Sequence, residues 1–385
     1  MSGGDVGHLE VAPQADYACS ADHVNASSLA ASRSVTHITF VSSLGGMSTT
    51  TSTQIHLATR PDGFPTHDNF STVQHELPAL AEDQVRVQNA FVSVDPYMRG
   101  RMSSAKSYAE PYSVGEVMTG AAVGTVVESR SAQLPVDTLV LHNMGWRDIA
   151  QGPAKAFQPI DRASDDTPLS LYLGLLGMPG LTAYIGLTRI AELREGESVF
   201  VSGAAGAVGT AVGQFARLLG ASKVFGSAGS AEKCELITQK YGFDAAMNYK
   251  AEPIRDQVNR VIGDDGLDVY FDNVGGDHLE AALDVLAPFG RVAVCGAIGQ
   301  YNATTPQPGP DNMTNILRQK LKIHGFIQSD YAAEAGDEFR RVAGQWFADG
   351  KLAYDETVVE GIEHSVDAFM GLLRGENSGK MVVKI

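Results

Sequence analysis

The sequence predicts an α/β protein in which a doubly wound, parallel six-stranded sheet is inserted into a mostly antiparallel β domain. Three observations carry that expectation. Polar–apolar alternation with Pro and Gly punctuation fills residues 50 to 170. Short apolar runs then alternate with helical patterns as far as residue 328. The end of the chain returns to the first style. Strand–helix alternation at this spacing is the mark of a parallel sheet covered by helices on both faces.

Residues 1–46 carry scattered Ser, Ala, His and Asn, one apolar patch at Ile38–Val41, and no helical period. They lack the basic and apolar regions of a secretory signal. The expectation is a disordered N-terminal extension, or upstream sequence ahead of a start at Met47. Gln84–Val92 begins with the alternation of a half-buried strand, and Ala121–Glu128 and Thr138–His142 continue the β character. Val199–Gly203 is a short apolar strand, followed by a helix whose apolar positions Val208, Ala211, Val212, Phe215, Leu218 and Leu219 recur at three and four. Lys223–Ser227 is the second strand and Ala231–Tyr241 the second helix. Strands at Ala245–Asn248, Asp268–Asp272, Arg291–Gly296 and Lys322–Gln328 complete six. Beyond them, helix 332–349, strand 354–359, helix 365–373 and strand 381–385 are expected to fold back on the first domain. The expected boundaries are 47–175 with 351–385 for the β domain and 176–350 for the inserted one.

A chain of 385 residues suits about two domains of roughly 150 residues each. With 45 acidic against 29 basic residues, its formal charge is −16. Such a field repels nucleic acid and anionic lipid, and no eighteen-residue apolar run is present to span a membrane. Cys19, Cys234 and Cys295 are too few and scattered for a disulfide framework, and neither C-x-x-C nor H-E-x-x-H occurs. A cytoplasmic protein with no metal site is expected.

Val201-Ser-Gly-Ala-Ala-Gly-Ala-Val-Gly209 joins the first parallel strand to its helix. Gly206 would let the backbone approach a pyrophosphate, Gly209 would let helix pack on strand, and the helix N-terminus would present free N–H groups. The strict G-x-G-x-x-G pattern has Ala204 at its first position, with Gly203 just before. An NAD site needs Asp or Glu about nineteen residues beyond Gly209. Ala228 stands there, in a Gly/Ser loop leading to Ser230 and Lys233. A 2′-phosphate would fit that hydroxyl and ammonium, which favours NADPH.

Five strings carry a resemblance: Val94-Asp-Pro-Tyr-Met-Arg-Gly-Arg-Met102, Gly180–Tyr184, Ala204–Gly209, Tyr270-Phe-Asp-Asn-Val-Gly-Gly276 and Cys295-Gly-Ala-Ile-Gly-Gln-Tyr-Asn302. Together they resemble the zinc-independent medium-chain dehydrogenase/reductases, most closely the prostaglandin reductase and leukotriene B4 12-hydroxydehydrogenase group with its alkenal double-bond reductases. The resemblance runs from about Gln54 to Ile385. It implies a Rossmann nucleotide domain set in a GroES-like catalytic domain, and NADPH-dependent reduction of the C=C bond of α,β-unsaturated ketones and aldehydes. By the same resemblance Ala205, Gly206, Ala207 and Val208 contact the pyrophosphate, and Lys233 and Tyr249 lie by the adenosine ribose and its 2′-phosphate. Asn273 lies near a cofactor ribose. Cys295, Gly296, Ala297, Ile298 and Tyr301 pass along the nicotinamide half, and Phe326, Ile327, Gln328 and Asn377 complete the cleft. The family often has an apolar residue where Gln328 stands.

Reduction of an enone needs hydride at the β-carbon, a donor for the carbonyl oxygen and a proton. Tyr301 is the first candidate donor. It follows the fifth strand at the carboxyl edge, where ligands bind, and a phenol stays protonated at neutral pH. The resemblance implies a hydrogen bond from it to the carbonyl oxygen, beside the nicotinamide ribose 2′-hydroxyl. Tyr97 is the second, aimed by the turn at Pro96. Arg99 and Arg101 read as salt-bridge partners holding that loop, Met98 as core, Cys295 as an inert buried thiol, and His142 and His324 as structural. A quinone reductase of the same fold, and a non-catalytic redox sensor, are the competing readings. The sixth strand would form a sheet edge, and pairing it across a two-fold predicts a homodimer.

Overall fold

The computed structural model describes residues 50–162, 164 and 166–385, all within one compact unit. The extension at 1–46, with Cys19, lies outside the described residues.

The first lobe opens with a hairpin, β1 (Thr50–Leu57) against β2 (Phe70–Leu77). Its main sheet contains β3 (Gln84–Ser93), β4 (Ala122–Ser129), β5 (Leu139–His142), β6 (Ile149–Pro153) and β7 (Phe157–Pro159). The short helix α1 (Tyr97–Arg101) follows β3. Val85, Val87 and Val126 are buried where β3 meets β4, so β3 forms the spine of this sheet.

The second lobe is the parallel sheet: β8 (Ser198–Val201), β9 (Lys223–Ala228), β10 (Ala245–Asn248), β11 (Leu267–Asp272), β12 (Leu286–Val294) and β13 (Lys322–Gly325), in the order β10-β9-β8-β11-β12-β13. Chain order reverses beside β8, the switch point where such sheets bind ligands. All four β8 residues are buried, as a central parallel strand covered on both faces requires. Helices α2 (Met178–Ile185), α3 (Ala207–Leu218), α4 (Ala231–Lys240), α5 (Ile254–Val261), α6 (Asp277–Val285) and α7 (Thr314–Gln319) accompany it. In α3 the expected apolar stripe faces inward: Ala211, Val212 and Phe215 are fully buried.

The tail divides differently from expectation. Helix α8 (Ala332–Ala348) stays with the parallel sheet, its Phe339 ring centred 5.9 Å from Tyr184 of α2 and 6.4 Å from Phe215 of α3. Only β14 (Glu356–Glu360), α9 (Ser365–Arg374) and β15 (Lys380–Lys384) return to the first lobe. There β15 lies between β14 and β3, parallel to the former and antiparallel to the latter. β13 ends at Gly325, three residues short of the expected strand, and Phe326–Gln328 turn toward the cleft.

Candidate active site

A cleft of about 760 Å³ runs between the two lobes. One wall is the turn after β8. Gly203 adopts φ +62°, and a Cβ on Gly209 would stand 2.3 Å from the Gly203 carbonyl oxygen, so α3 can approach β8 only with glycine there. Gly206, at the helix N-cap, supplies no side-chain cap, and the first-turn N–H groups of a helix have no intrahelical acceptors. Gly206, Ala207, Val208 and Gly209 line the cleft. Ala205 is buried behind them, its carbonyl accepting the Gly379 N–H at 2.8 Å. The residues present therefore fit a pyrophosphate: open N–H groups, the positive end of a twelve-residue helix, and a glycine surface.

The loops after β11 and β12 form the floor. Asp272, buried at the end of β11, accepts from Tyr270 Oη at 2.7 Å and from the N–H groups of Val274 and Gly275 at 3.0 and 2.8 Å. This ties down the Asn273–Gly276 loop, where Gly275 and Gly276 take φ +73° and +52°. Burial raises the Asp272 carboxyl above its ordinary range despite those donors. Asn273 donates to the Ser202 carbonyl at 2.8 Å and lines the cleft.

Cys295, Gly296, Ile298 and Tyr301 line the next stretch. Burial pushes the Cys295 thiol up to about 12, which keeps it protonated and inert at neutral pH. The Tyr301 hydroxyl lies 3.5 Å from the Ala297 N–H, and a Cβ on Gly296 would stand 3.3 Å from it, so that glycine leaves room for the phenol. Burial also raises the Tyr301 phenol above its ordinary range, which suits hydrogen-bond donation. Phe326, Ile327 and Gln328 line the same cleft, with Phe326 edge-on to Phe271.

The opposite wall belongs to the first lobe. Tyr97 opens α1 and lines the cleft, its phenol raised by burial and by nearby Asp95. Met98 is fully buried, as expected of core. The arginines act otherwise than expected. Arg99 donates to Asn302 Oδ1 at 2.9 Å and to the Gly63 carbonyl at 2.6 Å. Arg101 donates to the Glu110 carbonyl and Thr119 Oγ1 and lies over the Tyr112 ring. Among the described residues both hold the loop through neutral acceptors rather than ion pairs, because folding supplies carbonyls where sequence offers only formal charges.

Ser230, Lys233 and Tyr249 stand further along, beyond the cleft lining. Ser230 caps α4 by accepting the Lys233 N–H. The Lys233 ammonium donates to the Gly375 and Asn377 carbonyls, each at 2.6 Å, and Asn377 lines the cleft. Burial, with Lys250 nearby, lowers the Lys233 pKa. A Cβ on Gly229 would stand 2.7 Å from Tyr249 Oη, so the Gly/Ser loop is bare where that ring crosses it.

Sequence reasoning missed several lining residues. Asp95 and Lys380 form a buried ion pair at 2.8 Å on the cleft wall. His142 accepts the Met144 N–H at Nδ1, so its Nε2 carries the proton toward Asn89 Oδ1, and burial lowers its pKa to about 3. Tyr108, raised by burial, and Tyr172 also line the cleft. Asp95 sat in plain sight beside Pro96, but nothing local marked Lys380 as its partner. Among the described residues no group of three or more His, Cys, Asp or Glu side chains could hold a metal ion, and no helix is long and apolar enough to cross a membrane.

A glycine turn at the switch point of a doubly wound sheet, facing tyrosines across a cleft, defines a nucleotide-dependent oxidoreductase. Residues 53–160 match the family model described as the N-terminal domain of oxidoreductase, and residues 207–347 the model described as zinc-binding dehydrogenase. Prostaglandin reductase 1 of Rattus norvegicus is 43% identical over 325 residues, covering 84% of this chain and 96% of its own. The NADP(+)-dependent 2-alkenal reductase of Nicotiana tabacum is 39% identical over 339 residues, covering 86% and 97%. The crystal structure of CurA from Vibrio vulnificus in complex with NADPH matches with a TM-score of 0.82 and 42% identity, over 86% of this chain and 98% of that one. The chain belongs to the medium-chain dehydrogenase/reductase family, in its prostaglandin reductase and alkenal reductase group.

Proposed function

We propose that the protein uses NADPH to reduce the C=C bond of α,β-unsaturated ketones and aldehydes. The observation that carries this reading is the convergence of Tyr301, Tyr97 and the glycine turn on one cleft. The pyrophosphate would rest on Ala205–Gly209, with Ser230, Lys233 and Tyr249 at the adenosine end. The nicotinamide half would run along Asn273, Cys295–Ile298 and Tyr301, bounded by Phe326, Ile327 and Asn377. Bound there, the reduced nicotinamide would supply hydride for the substrate's β-carbon.

The chain's own residues do the rest. The Tyr301 hydroxyl donates to the carbonyl oxygen as negative charge gathers on it, in a site where burial strengthens that bond. Tyr97 offers a second donor from the facing wall. Residues 176–350 serve as the nucleotide domain, and 47–175 with 351–385 as the catalytic domain. The acidic surface supports a small-molecule substrate rather than nucleic acid, and the sparse cysteines support a cytoplasmic setting. β13 ends the parallel sheet with Ile323 exposed, which supports a homodimer paired along that edge.

The test is steady-state oxidation of NADPH with 3-nonen-2-one, alkenals and a panel of quinones. Consumption of enones ahead of quinones is expected. Quinone turnover alone would favour the quinone reductase, and cofactor binding with no turnover would favour a sensor.

A further inference from the structure

The two candidate tyrosines come from opposite lobes, and one side chain links their segments. Arg99 lies two residues beyond Tyr97 on α1, and Asn302 directly follows Tyr301. Arg99 Nε donates to Asn302 Oδ1 at 2.9 Å while its Nη2 donates to the Gly63 carbonyl at 2.6 Å. Arg99 is 6% exposed and, among the described residues, makes no ion pair. Gly63 takes φ +74°, and a Cβ there would stand 3.2 Å from Thr304, so the Gly63 loop is packed on the same turn. Among the described residues this is the one side-chain hydrogen bond from the 298–305 turn to the first lobe. The remaining bonds of that turn stay within the second lobe, such as Ile298 N–H to the Asn273 carbonyl and Ala303 N–H to the Gln300 carbonyl.

We propose that Arg99 is a positioning residue which, through Asn302, fixes the spacing of Tyr97 and Tyr301 across the cleft. The inference rests on the proposed enone reduction. A guanidinium suits the task because its donors are held in a rigid plane, so two bonds in different directions fix the relative place of three segments. Its bonds are charge-assisted and therefore stronger than neutral ones. The clasp touches none of the residues assigned to the pyrophosphate or the adenosine end, so its loss is read in turnover before it is read in cofactor affinity. A misplacement of about 1 Å at a reacting group costs on the order of 10²-fold in rate, so even partial loosening is measurable.

The experiment compares Asn302→Ala with Asn302→Asp in the full chain, since Asp keeps an acceptor for Arg99. Enone kcat and KM, NADPH affinity by fluorescence quenching, and amide exchange of segments 96–102 and 298–304 are measured on each. Asn302→Ala is expected to lower kcat about tenfold with NADPH affinity within twofold of wild type, and to speed exchange in both segments. Asn302→Asp is expected to restore wild-type values on all three. Equal behaviour of the two variants, unchanged kcat in Asn302→Ala, or parallel loss of NADPH affinity would each overturn the proposal. Should wild type bind NADPH yet consume no enone, the parent reading falls, and exchange alone decides. Faster exchange in both segments then upholds the clasp, and unchanged exchange in 96–102 sinks it.

Discussion

The Lys380 ammonium donates to Asp95 Oδ1 and to the Val94 carbonyl, both at 2.8 Å, from the first residue of the last strand. Side-chain exposure is 4% for the lysine and 5% for the aspartate. Ser93 Oγ donates to the other carboxylate oxygen, so Asp95 enters the Tyr97 turn with both oxygens satisfied. The neighbouring Gly379 N–H meets the Ala205 carbonyl of the glycine turn. Gly379 and Lys380, where the chain enters β15, thus touch both walls of the cleft.

Removing one partner of such a pair leaves the other charge buried and alone. Lys380→Met is expected to lower unfolding free energy by about 3–5 kcal/mol, read from urea midpoints. The double variant with Asp95→Asn should regain much of that loss. A Lys380→Met protein as stable as wild type would show that water reaches Asp95.

Gly209→Ala would push a methyl group to 2.3 Å from the Gly203 carbonyl oxygen, with backbone rather than side-chain atoms in the way. A stability loss of about 1–3 kcal/mol or more is expected, along with weaker NADPH binding as the turn shifts. Calorimetric titration checks the second, and unaltered affinity would remove this turn from the binding site.

His142 titrates near 3 when folded against an ordinary 6.5, and His278 near 4, both because burial disfavours the charged ring. Below pH 6.5 the unfolded chain therefore binds more protons, and stability falls with falling pH until the folded rings protonate. Each imidazole contributes about 1.4 kcal/mol per pH unit within its window. Chemical denaturation at pH 7 and pH 5 should show the loss, and His142→Gln should flatten the acid slope by one proton. An unchanged slope would mean His142 is solvated.

Tyr301→Phe is expected to slow turnover by about 10²-fold while sparing NADPH affinity. Because burial raises the phenol, wild-type kcat should show no alkaline limb from this group up to its ordinary value of 10. Full activity in the variant would transfer the donor role to Tyr97 or to water.

Lys233→Ala is expected to raise the KM for NADPH and spare that for NADH. A 2′-phosphate must compete with two neutral carbonyls for this ammonium, a contest that charge favours. Equal effects on both cofactors would reduce Lys233 to a tie between α4 and the Asn377 loop.

The parallel sheet was legible because short apolar runs such as β8 alternate with helical segments. α3 also announces its inward face through Ala211, Val212 and Phe215. Periodicity tells which side of a helix is apolar but not which sheet that side covers, so it left α8 open between the two lobes. The glycine turn was readable because its geometry is local. The Lys380–Asp95 pair and the Arg99–Asn302 bond were not, since partners 285 and 203 positions apart leave no local trace. Arg99 and Arg101 misled for a related reason: a charge in a sequence suggests a countercharge, whereas a buried guanidinium is satisfied as well by backbone oxygens.

β15 has a bearing on how the molecule comes to exist. Its Val382–Lys384 complete the ladder on Phe91–Ser93, and Lys380 reaches back 286 positions to Val94. On the ribosome, the spine of the first lobe emerges long before the strand that seals its flank. Translation must deliver the whole parallel sheet in the interval, so the nascent chain carries an unsealed β edge that invites mispairing until β15 has emerged.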